Sequence, residues 1–262
     1  MSRFGVSLMT CWSVLTVAGS VGAQQPVLLF DGSSLAGWVR TDGKPVEDDW
    51  EVVDGTLHLK DKPSGGANLF SEEEFTDFDL EFEWKIAPGG NNGLKYRVRK
   101  YGNQFLGIEY QILDDAAHDL HPRGMTGSLY ELYEPSGVKQ LKPVGEFNHS
   151  RVVVRGNHIA HWLNGQLIAE ADVGSREWFQ RVAESKFAQV EGFGQNRAGK
   201  IMLTAHGSEV WYRNIVLTPL PPPATVYVSA RAPRCGHGLL AFRGRGGCRF
   251  QPLQRLRSAR RR

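Results

Sequence analysis

Residues 78–86 read Phe-Asp-Leu-Glu-Phe-Glu-Trp-Lys-Ile, a strict alternation that constrains the fold more than any other stretch of the chain. Side chains of a strand point alternately to opposite faces. Phe78, Leu80, Phe82, Trp84 and Ile86 therefore line a buried face, and Asp79, Glu81, Glu83 and Lys85 line a wet one. Two tight hairpins belong to the same design. Asp54-Gly55 separates Trp50-Glu51-Val52-Val53 from Thr56-Leu57-His58-Leu59, and Asn164-Gly165 separates residues 159–163 from residues 166–169. Both pairs favour the two-residue turn whose twist matches antiparallel strands. One helix is expected after Ser175, a good N-cap, with Glu177 in the first turn and Trp178, Phe179, Val182 and Phe187 as an apolar stripe. Many short strands, two tight hairpins and one short helix predict an all-β fold, a sandwich of two sheets.

The ends of the chain read differently from its middle. Arg3, the apolar residues 4–18 and Val21-Gly22-Ala23 form a secretory signal pattern, so residues 1–23 are expected to be a signal peptide. The apolar run is short for a membrane span, and Cys11 lies too near Met1 for a lipoprotein anchor to be the better reading. Export to a periplasm or to the cell exterior follows as an expectation. Residues 24–220 form the folded body. Pro221-Pro222-Pro223 closes it, and residues 221–262 form an Arg/Pro/Gly-rich tail expected to be disordered.

The formal charge of +3 averages unlike parts. The tail holds ten Arg and no acidic residue, which leaves 21 of the 31 basic residues against 28 acidic ones in residues 1–220. An acidic body argues against a nucleic-acid partner. Of the three cysteines, Cys11 belongs to the signal segment, and Cys235 and Cys248 belong to the tail. The body must therefore be held together by burial and not by disulfides. No pattern sets the oligomeric state.

HExxH, CxxC, calcium-loop and GxSxG motifs are missing, and the Gly-rich stretches lack the context of a phosphate loop. The polar concentration between Asn91 and Glu134 remains. By alternation, Lys95 and Arg97 share one face of their strand, and Glu109 and Gln111 share one face of the next. Were these strands neighbours, the four side chains could form a floor able to polarise a carbonyl and remove a neighbouring proton. The alternative is a set of cross-strand ion pairs on a solvated face. Asp114, Asp115, His118, Asp119 and His121 follow; they could supply an acid or a weak divalent-cation site, or form a solvated loop. Ser128, Tyr130 and Glu131 could bind sugar hydroxyls, though Tyr is also an ordinary strand residue. Trp162, Trp178, Trp211, His161 and His206 are assigned to the framework.

A set of ordered motifs then resembles a known family. They are Leu29-Phe30-Asp31-Gly32 with Gly37-Trp38, Asn91-Asn92-Gly93-Leu94-Lys95-Tyr96-Arg97, Gly107-Ile108-Glu109-Tyr110-Gln111-Ile112-Leu113-Asp114, Thr126-Gly127-Ser128-Leu129-Tyr130, Asn148-His149, His161-Trp162-Leu163-Asn164-Gly165 and Val210-Trp211-Tyr212-Arg213-Asn214-Ile215. Together they resemble the 3-keto-disaccharide hydrolase family over about residues 28–220. The resemblance implies a concanavalin A-like jelly roll acting on glycosides already oxidised at C3, so the expected partner is a small oxidised saccharide. It also points to Glu109 as base, Lys95 and Arg97 as oxyanion stabilisers, and His118 or Tyr130 as acid. Asn91, Gln111, Asp114, Ser128 and Glu131 are the expected substrate-binding residues. No cofactor is read from the sequence, and a divalent cation is compatible with these roles. One departure stands out: Thr204-Ala205 precede His206-Gly207 where the family pattern carries Gln-Asp. A non-catalytic carbohydrate-binding module of the same fold is the alternative function.

Overall fold

The computed structural model describes residues 25–222. The leader and nearly all of the tail read from the sequence lie outside the described residues. In chain order the strands are β1 (Val27–Leu28), β2 (Trp38–Val39), β3 (Trp50–Val53), β4 (Thr56–Leu59), β5 (Leu69–Phe75), β6 (Phe78–Ile86), β7 (Asn91–Tyr101) and β8 (Gln104–Leu113). They continue with β9 (Asn148–Arg155), β10 (His158–Leu163), β11 (Gln166–Asp172), helix α1 (Arg176–Ala183), β12 (Gly199–Leu203) and β13 (Val210–Pro219). One sheet runs β11-β10-β9-β6-β13-β4-β3, with β1 on β13; the other runs β2-β5-β12-β7-β8. All pairings are antiparallel, and the two sheets make the expected jelly-roll sandwich with one α-helix among the described residues.

The alternation of β6 is realised as read: Phe78, Leu80, Phe82, Trp84 and Ile86 are buried, and the intervening residues are not. Across the core they meet the inward face of the smaller sheet. Phe78 packs edge-on against Tyr96, and Phe82 packs edge-on against Tyr110. Each large side chain removed from water contributes on the order of 1.5–3 kcal/mol, which accounts for a body stable without disulfides. Both hairpin turns have positive φ at each central residue, with Asp54 at 48° and Gly55 at 71°, and Asn164 at 45° and Gly165 at 84°. Asp and Asn tolerate that region, and Gly enters it freely.

One strand was not foreseen and one local expectation fails, each for a visible reason. Strand β5 was not legible, because Glu72-Glu73-Glu74 are all exposed between buried ends and erase the alternation. In α1, Ser175 Oγ accepts from Trp178 N as a cap should, and Trp178 is fully buried. Phe179, however, is 47% exposed, and Phe187 is buried beyond the end of the helix. The stripe is thus narrower than its sequence suggests.

Candidate functional site

The smaller sheet turns its core face inward with Leu94, Tyr96, Ile108, Tyr110 and Ile112. Its outer face must then carry the residues between them. Register partners Lys95 and Glu109 lie side by side there, with Nζ 3.4 Å from Oε2. The Glu109 side chain is only 7% exposed, and that of Lys95 is 20% exposed. Residues 127–130 add a further short pairing along β8: Tyr110 bridges Leu129, and Tyr130 N donates to Glu109 O at 3.0 Å. Leu129 faces the core, so Ser128 and Tyr130 face outward with Gln111 and Glu109.

Two polar rows result. One runs Lys95–Glu109–Tyr130 across the strands. The other runs Thr204–Gly93–Gln111–Ser128, tied by Thr204 N donating to Gly93 O and Gln111 N donating to Ser128 O. Gln111 Nε2 donates to Asn91 Oδ1 at 3.1 Å, which fixes the amide of Asn91 at the end of the floor. The hydroxyls of Ser128 and Thr204 are buried without a hydrogen-bond partner among the described residues. Gly93 has a steric reason to lack a side chain, because a Cβ there would sit 2.3 Å from Glu109 Oε1.

A cavity of about 260 Å³ stands over Lys95 and Glu109 of the first row and is also lined by Gly107, Gln104, Leu106, Lys186, Phe187 and Val190, while Tyr130 lies outside its lining. Lys186 Nζ lies 4.1 Å from the centre of the Tyr130 ring. Burial raises the pKa of the Tyr130 phenol first, and the negative charges of Glu131 and Glu109 raise it further, against Lys95. The phenol therefore keeps its proton and can donate it. Chemically, this floor offers a carboxylate base, an ammonium to receive developing negative charge and a protonated acid.

Of the residues expected to act here, Lys95, Glu109, Gln111, Asn91, Ser128 and Tyr130 share this face, with half-buried Glu131 following Tyr130. Arg97 does not join them. A bulge between Tyr96 and Arg99 puts an extra residue in β7, and Arg97 adopts φ 50°. Such a bulge breaks the period on which the shared face depended. The guanidinium of Arg97 is 1% exposed and bonds Asp77 Oδ1 at 3.2 Å, Thr76 O at 3.2 Å and Gly156 O at 2.9 Å. It staples the β5–β6 and β9–β10 turns together.

His118 and Asp114 are also placed elsewhere. His118 Nε2 donates to Gly89 O at 3.0 Å, and Asp114 Oδ2 accepts from Gly89 N at 2.9 Å. Both hold the β6–β7 turn, and Asp114 lies five residues along the chain from Glu109, about 17 Å in an extended strand. Asp115 accepts from Thr126 N and Lys139 Nζ, while Asp119 and His121 are exposed. Among the described residues no three His, Cys, Asp or Glu side chains converge as a metal site.

The framework histidine is well explained. His161 is fully buried, with Nδ1 3.0 Å from Gly127 O and Nε2 2.8 Å from Tyr96 Oη. A carbonyl only accepts, so Nδ1 carries the proton and Tyr96 donates to Nε2. Burial lowers its pKa to about 4, which keeps the ring neutral.

The walls were not foreseen. Lys186, Phe187 and Val190 come from the segment after α1, and Gln104 and Leu106 come from the start of β8. Their only sequence signal is indirect, in the Ser175 cap and Trp178 that dock the helix. The departure at Thr204-Ala205 falls beside Gly93, while His206 is exposed.

Comparisons with known proteins identify the family. Residues 25–218 match the family model described as a 3-keto-alpha-glucoside-1,2-lyase-like domain. A 3-keto-disaccharide hydrolase of Bacteroides thetaiotaomicron is 30% identical over 231 residues, 74% of this chain and 78% of that protein. Two crystal structures described as glycosyl hydrolases of Parabacteroides distasonis are similar. One has TM-score 0.66 at 28% identity, covering 75% of this chain and 94% of that one. The other has TM-score 0.53 at 25% identity, covering 70% and 99%. The chain belongs to the 3-keto-alpha-glucoside-1,2-lyase-like family and is a carbohydrate-active enzyme of that family.

Proposed function

We propose that this protein cleaves the glycosidic bond of 3-keto-glycosides by removing the proton at C2, eliminating the C1 substituent and adding water. A ketone at C3 acidifies the C2 proton, so one well-placed carboxylate can take it. Glu109 is that base. As the C2–H pair moves into the C2–C3 bond, negative charge gathers on O3, and the Lys95 ammonium stabilises it. Collapse of this enediolate reforms the C3 carbonyl, makes a C1–C2 double bond and expels the C1 oxygen with its bonding pair. Tyr130 gives that oxygen its proton. Water then adds at C1, and a proton returns to C2, which completes a net hydrolysis. Gln111, Asn91 and Ser128 orient the hydroxyls, with Glu131 beside Tyr130.

This route differs from the two-carboxylate mechanism of ordinary glycosidases, and the floor supports the difference. The observation that carries the reading is the buried Lys95–Glu109 pair at 3.4 Å beneath a sugar-sized cavity. A carboxylate this buried is retained at a desolvation cost, and among the described residues it has one basic ion-pair partner, Lys95, and an open side. The leader pattern of residues 1–23 supports export, so the substrate would be met outside the cytoplasm. Incubating the purified protein with 3-keto-trehalose or 3-keto-lactose, with the unoxidised sugars as controls, tests the reading. Release of free glucose from the 3-keto substrates alone supports it; equal turnover of the unoxidised sugars, or none of either, contradicts it.

A further inference from the structure

We infer that the cleft continues past Glu109 into a second subsite that holds the leaving sugar, at the far end of the β7–β8 hairpin. This rests on the proposed 3-keto-glycosidase reading and adds to it the place and chemical class of the group expelled. The cavity over Glu109 is about 260 Å³, below the range of about 300–1,000 Å³ for pockets that enclose a drug-sized ligand. It suits one pyranose. A second cavity of about 430 Å³ abuts it and shares Gln104, Leu106 and Val190 as a common wall. Its remaining lining comes from Tyr101, Gly102, Asn103, Gln189 and Glu191. A disaccharide whose keto ring lies on Glu109 can extend its second ring into this adjoining cavity, whereas the cavities beside Asp114 and Asn148 and beside Glu134 and Leu167 share no lining residue with the one over Glu109.

The second cavity is walled by fixed structure. The Tyr101 hydroxyl donates to Asn196 Oδ1 at 3.0 Å, and Asn196 Nδ2 donates to Arg97 O at 2.7 Å and Ala198 O at 2.9 Å. Phe187 stacks on Phe193 with centroids 3.9 Å apart, so both ends of the segment bearing Gln189 are pinned. The side-chain amides of Asn103, Gln104 and Gln189 have no hydrogen-bond partner among the described residues and stand exposed on the cleft. Amides both donate and accept, which suits a neutral polyol, and Glu191 disfavours an anionic one. The subsite therefore takes a neutral, hydroxyl-rich leaving group, a second hexose and not a uronic acid.

The test compares kcat/KM for 3-keto-trehalose with that for methyl 3-keto-α-glucoside, whose leaving group is too small to reach the subsite. The readout is their ratio in the full-length wild type, in Asn103→Ala/Gln189→Ala and in Gln189→Trp, which fills the cavity. These residues are on the surface, and thermal melting checks that the fold is kept. The inference expects the preference for the disaccharide to fall at least 10-fold in both variants, chiefly through KM. An unchanged ratio with both substrates turned over overturns the subsite alone. Turnover of neither substrate by the wild type overturns the parent reading and this inference with it.

Discussion

Gly93 and Glu109 lie so close on adjacent strands that a Cβ on Gly93 would meet Glu109 Oε1 at 2.3 Å. The missing side chain is what lets the carboxylate lie over β7 toward Lys95. Nothing in the Gly93 backbone demands glycine, since its φ is not positive. Gly93→Ala is therefore expected to move the carboxylate and leave the strand in place. A displacement of about 1 Å costs on the order of 100-fold in rate. Steady-state kinetics on a 3-keto-disaccharide, with circular dichroism to confirm the fold, reads this; full activity would show that the Glu109 rotamer does not matter.

Arg97 separates a structural role from a catalytic one. Its guanidinium pairs with Asp77 away from the floor, and both groups are buried. Removing one partner of a buried pair typically costs about 3–5 kcal/mol. Arg97→Met is expected to lower the denaturation midpoint strongly, while the folded fraction keeps its kcat. A lowered kcat at unchanged stability would return Arg97 to the oxyanion role that the sequence suggested.

His161 gives a pH dependence with a definite sign. Its pKa is lowered from 6.5 to about 4 by burial, so the folded protein excludes a proton that the unfolded chain binds. Stability is therefore full above pH 6.5, falls as pH drops through 6.5 and levels off near pH 4. At 1.36 kcal/mol for each pH unit, the loss reaches about 3 kcal/mol. Asp42, lowered to about 2 mainly by its hydrogen bond to Arg40, acts below that window. Urea midpoints at pH 7 and pH 4.5 should differ clearly in the wild type and much less in His161→Gln. Equal pH dependence in the two proteins would contradict this account.

Tyr130→Phe removes the proposed acid and preserves the ring beneath Lys186. Loss of a general acid costs roughly 100- to 10,000-fold. The loss should be large for a sugar leaving group and small for 4-nitrophenolate, which departs without a proton. Equal losses on both substrates would assign Tyr130 to binding.

The sandwich was legible because β6 alternates without a fault and the Asp-Gly and Asn-Gly pairs mark their turns. The floor was legible only as far as the period of two survived. Lys95, Glu109 and Gln111 fall on a common face because β7 and β8 are regular through them. Two residues later the bulge at Arg97 breaks the register, and no residue type there announces a left-handed backbone. His118 and Asp114 looked chemical for their side chains alone, yet the Gly89 turn uses them as ties. The wall from Lys186 to Val190 was beyond reach, since its place depends on how α1 docks through Trp178.

Glu109 as the base that strips C2 can be tested in one measurement. A 3-keto-disaccharide is hydrolysed in D2O, and the released keto-sugar is read by NMR at early conversion, before spontaneous exchange matters. Elimination followed by hydration predicts one solvent deuteron at C2, formed by the wild type and reduced at least 100-fold in Glu109→Gln. A released sugar that keeps its original hydrogen at C2 would mean that the bond breaks without C2 deprotonation, and the account would be wrong.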